Sequence, residues 1–311
     1  MRLSLCIATY NEEKNIHYPL DSVYDLVDEV IIVDGRSTDK TVEIVKSYGK
    51  KILVFIEDNP SMFHINKQKA IERARGDWIL QLDADEELSD ELKKEIIEIV
   101  HRNNQLPISN YQINSKSQIQ KSVKTSEVEE DPASAGDGKT SEVKGSVAYW
   151  IPRKNFFLTR FLTKGGQYPD YTIRLYRNGY AKFPCKTVHE NVEVKGEIGY
   201  LKNPILHHAD PDFSRYLKRW DRYTTLEAEQ LLKNFQLPTS LPCRQAGNFQ
   251  LLFLFVDYFI LKPAVTFFSM YFRHLGFLDG FPGFVFALFS SIRFWAIYTK
   301  KWSLTNKKLI K

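Results

Sequence analysis

The segment LQLDADEE (80–87) closes an apolar run with a cluster of acids, Asp83, Asp85, Glu86 and Glu87. Like charges at this spacing repel each other unless a cation or hydrogen bonds offset them. Carboxylate oxygens are also the ligands that hard divalent cations such as Mg²⁺ and Mn²⁺ prefer. A strand that ends at the surface and leads into a helix with an acidic first turn would explain the same letters. Spacing alone leaves both interpretations open.

The first hundred residues alternate between short apolar runs and segments of helical spacing. Runs rich in β-branched residues are typical of strands buried on both faces. Their alternation with helices predicts a mostly parallel sheet in an α/β layered domain. Ligands of such sheets bind beyond the carboxyl ends of the strands, where Thr9, Asp34 and Asp83 would lie. The predicted strands are 3–8, 29–34, 51–56 and 77–83, and the predicted helices are roughly 13–27, 39–48, 64–75 and 89–102.

The middle of the chain changes composition. Residues 114–147 are poor in large apolar side chains and contain the pentapeptide KTSEV twice, which predicts a disordered insertion. After it, strand-like segments and one long amphipathic helix over 213–234 are expected. The predicted parts are a nucleotide-sugar-binding half (1–113), the insertion (114–147), an acceptor half (148–235) and apolar C-terminal helices (236–311).

Composition narrows the class of protein. The formal net charge of +5 over 311 residues gives no reason to expect a nucleic-acid partner. The three cysteines include no C-x-x-C pair, so neither a zinc site nor a disulfide framework is indicated. The apolar start MRLSLCIA is too short for a signal peptide. A reducing, cytoplasmic-side location is therefore expected.

Two C-terminal stretches, 249–272 and 281–298, are apolar but interrupted by Asp257, Lys262 and Arg293. A spanning helix needs about 20 mostly apolar residues. Short apolar helices followed by a lysine-rich end are typical of helices that lie on an anionic leaflet. A true membrane span, an extension of the core and an oligomer interface are the alternatives.

Five motifs together resemble family-2 glycosyltransferases with the GT-A fold, and more closely a bacterial subgroup similar to lipopolysaccharide-core β-1,4-glucosyltransferases. The resemblance implies an α/β fold whose Rossmann-like mixed sheet is flanked by helices, followed by the apolar interfacial helices. The motifs are ATYNEEKNI (8–16), VDGRSTDKT (33–41), NKQKAIERARGDWILQLDADEE (66–87), GGQYPDYTIRLYR (165–177) and TVHENVEV (187–194).

The activity that this resemblance implies is metal-dependent transfer of a sugar, with inversion, from a nucleotide-diphosphate sugar, UDP-linked by expectation. Mg²⁺ or Mn²⁺ would be the cofactor. The acceptor would be a glycan or a lipid-linked molecule in cell-envelope polysaccharide or lipopolysaccharide synthesis. The enzyme would work at the membrane surface on the cytoplasmic side of the inner membrane, as a peripheral or monotopic protein.

The resemblance places the base and ribose of the donor at Thr9, Tyr10 and Glu12. Asp34 would accept a hydrogen bond from the uracil ring or the ribose, because a carboxylate cannot neutralise phosphate. Simpler structural roles compete with these assignments. Glu12 could belong to a helix cap, and Asp34 could be a turn aspartate.

For the diphosphate and the metal, the resemblance implies Lys67 and Asp85. Lys67 stands where relatives often carry arginine and would pair with the diphosphate; Lys69 is the alternative, and a solvated helix face accounts for either. Asp85 would be the main metal ligand. Asp83 would face the ribose or sugar, or reach the metal through water. Glu86 and Glu87 would simply begin the next helix.

For the chemical step, the resemblance implies a general base that takes the proton of the acceptor hydroxyl. Glu190 is that candidate, with His189 as a metal ligand or an orienting group. The pair at 207–208, in particular His208, is a second candidate near the metal. Asp170 would contact acceptor or donor sugar. Gln167 stands where relatives often have tryptophan, which leaves the acceptor open.

Other functions would make different demands on the same residues. A nucleotidyltransferase would need a glycine-rich basic loop after the first strand, and residues 8–16 have no glycine and two acids. A polyprenyl-phosphate glycosyltransferase remains an alternative for the acceptor. A non-catalytic membrane-associated scaffold with the same fold is the other alternative.

Overall fold

The structure is a computed structural model, and it describes residues 2–102, 145–185, 191–234 and 254–307. The strands are β1 Leu3–Thr9, β2 Glu29–Asp34, β3 Ile52–Ile56, β4 Trp78–Gln81, β5 Glu86–Leu88, β6 Ala148–Phe157, β7 Arg160–Phe161, β8 Asp170–Arg177, β9 Ala181–Lys182, β10 Glu193–Val194, β11 Ile198–Tyr200 and β12 Ile205–Asp210. The α-helices are α1 His17–Val23, α2 Thr41–Ser47, α3 His64–Arg73, α4 Asp90–Arg102, α5 Phe213–Asn234, α6 Lys262–Phe268 and α7 Gly280–Lys307.

The chain divides into two compact units, the first of which comprises residues 1–153 and 171–206. Its sheet has the strand order β3-β2-β1-β4-β8-β6. Strands β1 to β4 are parallel to one another, whereas β8 runs antiparallel to β4. The predicted mixed sheet flanked by helices is confirmed.

The apolar runs form strands because both of their faces are covered. Every residue of β2 after Glu29 is buried, and so is every residue of β4. One core cluster includes Leu5, Val30 and Leu80, and a second cluster includes Ile31 and Ile79. Alternate residues of these strands therefore feed different layers, as expected of a sheet between helices.

The acidic segment after β4 does not enter a helix directly. Glu86–Leu88 forms β5, and α4 begins only at Asp90. The prediction that Glu86 and Glu87 begin the helix is therefore wrong. The backbone turns between the strands, where the Glu86 amide donates to the Asp83 carbonyl at 3.1 Å, so the acids lie on a turn and a short strand.

The predicted insertion lies outside the described residues except at its end. Ser146 and Val147 are buried. The Val147 amide donates to the Glu197 carbonyl at 2.9 Å, and its carbonyl accepts from the Arg177 amide at 2.8 Å. Residues 145–147 therefore belong to the folded unit and not to the insertion.

The second unit comprises residues 154–170 and 207–311, a grouping different from the one predicted from sequence. Its core joins Phe157, Leu162, Tyr216 and Val285, so α5 and α7 share one apolar cluster with the segment around β7. Two helical stretches, Leu254–Arg273 and Gly276–Thr305, are long and apolar enough to cross a membrane by length and composition.

Candidate active site

The carboxyl ends of β1 and β2 lie side by side, with Thr9 opposite Asp34 in the parallel register. Both side chains are buried. The Thr9 hydroxyl has no hydrogen-bond partner. A buried polar atom without a partner costs free energy. Its position beyond a strand end is where this kind of sheet receives a ligand.

Asp34 shapes the loop that follows β2. One carboxylate oxygen accepts from the Ser37 amide at 2.8 Å and the other accepts from the Ser37 hydroxyl at 2.5 Å. The Ser37 hydroxyl in turn accepts from the Asn11 amide at 2.8 Å. Asp34 thus is a turn aspartate, the simpler role considered for it. Each carboxylate oxygen has a second lone-pair site, but the Asp34 side chain is fully buried, so its observed bonds are those of the turn.

Glu12 lies in a turn and not in a helix cap. Its side chain accepts from Asn15 Nδ2 at 2.6 Å, and its carbonyl accepts from the Asn15 and Ile16 amides at 2.9 Å. The N-cap residue of α1 is Ile16, which makes no side-chain cap, so the capping interpretation is wrong. Tyr10 beside it is 46% exposed, which leaves its ring open to a planar ligand.

A cluster of alternating charges lies beyond β4. Lys67 Nζ contacts one oxygen of Asp83 at 2.5 Å, and Arg174 Nη2 contacts the other at 2.6 Å. Arg174 also donates to Gln81 Oε1 at 2.5 Å and to Glu86 Oε1 at 2.8 Å. The Lys67, Arg174 and Glu86 side chains are almost completely buried, whereas Asp83 is 27% exposed. This "strand-end cluster" comprises Lys67, Asp83, Glu86, Arg153 and Arg174.

The opposite charges in the strand-end cluster stabilise each other's ionised forms. Burial disfavours the ionised form of Asp83, but Arg174 and Lys67 outweigh it and hold the pKa of Asp83 well below its usual value. Burial lowers the pKa of Lys67, and Asp83 works against that lowering. Arg153 adds a contact to Glu86 Oε1 at 3.2 Å. Three cations face two carboxylates, so the cluster carries a formal excess of one positive charge, which favours an anionic group beside it.

Lys67 and Lys69 differ in their surroundings. Lys67 lies inside the strand-end cluster, so the solvated-face interpretation is wrong for it. Lys69 pairs with Glu57 at 2.8 Å, and Arg73 joins the same carboxylate at 2.5 Å. The alternative diphosphate lysine is therefore already part of a separate surface ion pair.

Asp83 and Asp85 are not equivalent as metal ligands. Both oxygens of Asp83 are bound by cations at 2.5 and 2.6 Å, so direct coordination by Asp83 fits poorly. Asp85 is a partly exposed carboxylate on the turn before β5. Mg²⁺ is commonly held by one or two protein carboxylates together with substrate phosphates. Within the described part of the chain, no three His, Cys, Asp or Glu side chains gather into a metal-binding group. A cation at Asp85 would therefore need ligand oxygens to complete its coordination.

The remaining sequence candidates fall in two places. Asp170 Oδ2 accepts from Asn155 Nδ2 at 3.1 Å, and Asn155 Oδ1 lies 2.7 Å from His207 Nδ1, all within the second unit. His208 lies against the rings of Phe156 and Phe161 in the same unit. Glu190 and His189 lie outside the described residues, so their predicted roles stay predictions.

Glu86, Arg153 and Arg174 are the members of the cluster that the sequence did not assign to a site, since Glu86 was expected only to begin the next helix. One signal was available, since Arg174 stands between Ile173 and Leu175 in an apolar strand. An arginine buried in that setting needs a carboxylate partner.

The sequence of this chain is similar to the sequences of known glycosyltransferases. Two relatives are uncharacterised glycosyltransferases of Rickettsia. The one from Rickettsia typhi is 28% identical over 77% of this chain and 73% of its own, and the one from Rickettsia felis is 26% identical over 99% and 92%.

Similar solved structures share less sequence. S. aureus TarS 1-349 in complex with UDP is 15% identical over 99% of this chain and 92% of its own, with a TM-score of 0.42. A mannosyltransferase from Pyrobaculum calidifontis in complex with GDP-Man and Mn²⁺ is 12% identical over 96% and 86%, with a TM-score of 0.48.

The family model described as glycosyl transferase family 2 matches residues 4–182. That range is more than half of the 311 residues, and it contains β2 to β4, all of β1 except Leu3, the turn with Asp85 and all members of the strand-end cluster. The chain therefore belongs to glycosyl transferase family 2 and is a glycosyltransferase.

Proposed function

We propose that the enzyme transfers a sugar, with inversion, from a UDP-sugar bound beyond the carboxyl ends of β1, β2 and β4. The observation that carries the proposal is the strand-end cluster, whose three cations lie beside the turn that carries Asp85. A nucleoside diphosphate needs both a cationic surround and oxygen-binding metal. The finer likeness to lipopolysaccharide-core β-1,4-glucosyltransferases belongs to this proposal.

The nucleoside would bind along the loop that follows β1. The Thr9 hydroxyl, which is buried without a partner, supports a hydrogen bond to the ribose or base. The exposed ring of Tyr10 supports stacking on the base. The Asp34 and Glu12 carboxylates would accept hydrogen bonds from the ribose or the uracil, since a carboxylate can accept more than one hydrogen bond.

The metal would be held by Asp85 together with diphosphate oxygens. Mg²⁺ or Mn²⁺ there would neutralise the charge that develops on the leaving diphosphate. Lys67 and Arg174 would hold Asp83 ionised and in place, and Asp83 would reach the sugar or a metal-bound water only at its exposed edge. The cluster would thereby fix the geometry of the turn that carries Asp85.

The acceptor side would supply the base. Glu190 is the proposed base, with His189 as an auxiliary group, and Asp170 and His208 are proposed acceptor contacts. The acceptor would be a glycan or lipid-linked molecule of cell-envelope polysaccharide or lipopolysaccharide synthesis, met at the cytoplasmic face of the inner membrane by a peripheral or monotopic enzyme. A polyprenyl-phosphate acceptor is the second candidate, favoured by the two long apolar C-terminal helices.

The test is calorimetric titration of UDP, GDP and CMP, each with and without Mn²⁺, into wild-type protein, Asp85→Asn and Glu87→Gln. UDP should bind, Mn²⁺ should tighten it, and Asp85→Asn should remove the tightening. Glu87→Gln is the matched control, a nearby acid with no assigned role, and should behave like wild type. Metal-independent UDP binding that survives Asp85→Asn would contradict the metal assignment. Folded protein that binds none of the three nucleotides would favour the non-catalytic scaffold.

A further inference from the structure

Asp279 fastens one loop of the second unit. It is almost fully buried, with 1% of its surface exposed. Its Oδ2 accepts from the backbone amides of Thr163 and Lys164 at 3.0 and 2.8 Å, and its Oδ1 accepts from the Thr163 hydroxyl at 3.0 Å. Arg160 Nη2 lies 3.6 Å from the same carboxylate. Charge-assisted hydrogen bonds of this kind are the strong ones, so Asp279 holds the start of the 163–167 loop at Thr163 and Lys164.

The backbone of this loop also touches the C-terminal turn directly. The Gly165 amide donates to the His274 carbonyl at 2.9 Å. A Cβ on Gly276 would lie 2.7 Å from the Met270 carbonyl oxygen and 3.4 Å from the Gly165 Cα. A Cβ on Gly283 would lie 2.1 Å from the Gly276 carbonyl oxygen. Side chains at these positions are excluded, because the chains approach closer than any Cβ allows. The 163–167 loop is therefore in direct backbone contact with the tightly packed 270–283 turn.

That same turn exposes large apolar side chains. Five of them are between 41% and 72% exposed, and we call them the "apolar tip": Phe272, Leu275, Phe277, Leu278 and Phe281. Exposed cations accompany them at Arg160, Lys164 and Arg273. Over residues 258–307 the only acid is Asp279, which is buried. Exposed apolar groups that cluster in this way mark an interaction site.

The charges decide between two occupants of the apolar tip. A second copy of the chain in a two-fold arrangement would bring the same cations against each other. An anionic bilayer accepts both features, since its headgroups attract lysine and arginine while aromatic and leucine side chains enter the acyl boundary.

We propose that the apolar tip docks on an anionic bilayer and that the hydrogen bonds of Asp279 then make the 163–167 loop more ordered. The loop ends at Gln167 and is followed closely by Asp170, a proposed acceptor contact. Docking would therefore hold this segment at the lipid surface and select lipid-anchored acceptors. The membrane-surface location and the acceptor clause rest on the proposed function; the coupling through Asp279 does not. Asp279 is a positioning residue in this scheme.

Two measurements on the full chain test the proposal. Co-sedimentation with vesicles of phosphatidylcholine, with and without phosphatidylglycerol, measures docking. Hydrogen exchange of the amides of residues 163–165, with and without the anionic vesicles, measures coupling. Wild-type protein should sediment with the anionic vesicles only, and exchange at these amides should slow severalfold on docking.

Variants separate the two steps. The double variant Leu278→Ser with Phe281→Ser should lose sedimentation, whereas Ile97→Ser, an exposed apolar site in the first unit, should keep it. Asp279→Ala should still sediment but lose the slowing at 163–165, because it removes both oxygens that accept from Thr163 and Lys164. If Asp279→Ala does not fold, Thr163→Val removes only the hydroxyl bond and should weaken the slowing in part.

Three results would overturn the proposal. They are equal binding to neutral vesicles, unchanged slowing in a folded Asp279→Ala, and a dimer that Phe281→Ser converts to monomer without any vesicle binding. None of these readouts uses nucleotide or turnover. A failure of nucleotide binding would therefore leave the docking result standing, and a failure of docking would leave the transferase assignment standing.

Discussion

Lys67 and Asp83 form an ion pair in which Nζ lies 2.5 Å from Oδ1 and the lysine side chain is 8% exposed. The pair joins α3 to the segment after β4. Arg174 holds the second oxygen of the same carboxylate at 2.6 Å. Asp83 is thus fixed between two buried cations, which makes it a structural anchor for the turn that carries Asp85.

Removal of the lysine charge should destabilise the fold. Lys67→Met keeps the length of the side chain but leaves one oxygen of Asp83 without its buried donor. We expect the free energy of unfolding to fall by about 1.5–3 kcal/mol, the range for hydrogen bonds to charged groups. Denaturant unfolding measures it. Lys69→Met is the control and should cost less than about 1 kcal/mol, because its pair with Glu57 is more exposed. Equal losses in the two variants would contradict the anchoring role.

Asp83 should make stability depend on pH at the acid end. Its pKa in the folded state lies well below the value of about 3.9 that an unfolded aspartate has. Its stabilisation is therefore fully present above about pH 5 and is lost as the pH falls through about 4 and lower. Unfolding free energies at several pH values should show a wild-type advantage over Asp83→Asn at neutral pH that narrows in acid. Asp90→Asn, an exposed site paired with Lys93, should show a small gap throughout. A gap for Asp83→Asn that stays constant down to acid pH would refute this account.

Glu190→Gln should stop turnover while nucleotide binding survives. The substitution preserves size and removes only the ability to take the acceptor proton. Turnover is measured with wild-type and variant protein at saturating donor, and calorimetry reports binding. His189→Gln is the companion variant and should reduce turnover less if histidine only orients the base. A normal rate for Glu190→Gln would assign the base to another residue.

Deletion of residues 116–144 should leave the fold intact. The low hydrophobicity of this segment predicts that it buries no core, and the deletion stops before Ser146 and Val147, which are buried. We expect an unchanged melting temperature and unchanged UDP binding, both compared with the full chain. A deletion extended through Val147 should lower the melting temperature. A loss of cooperative melting in the shorter deletion would show that the segment is structural.

The sequence by itself determined the layered α/β order and the ends of its strands. Strand β2 is predicted at 29–34 and found at Glu29–Asp34, because a buried β-branched run has few other solutions. Helix α5, predicted at 213–234 from its apolar periodicity, is found at Phe213–Asn234. The sequence also predicted acids at the carboxyl ends of two strands, since Asp34 and Asp85 come at the end of or just after apolar runs in the chain.

Only the tertiary structure decided which charges meet. Arg174 is 91 residues from Asp83 in sequence and reaches it because β8 runs antiparallel beside β4, with Leu175 opposite Leu80. No local pattern encodes that register, which comes from packing over the whole sheet. The same holds for Asp279 and Thr163, which are 116 residues apart. Local propensities fix elements, whereas partners of buried charges are set by the close packing that brings distant segments together.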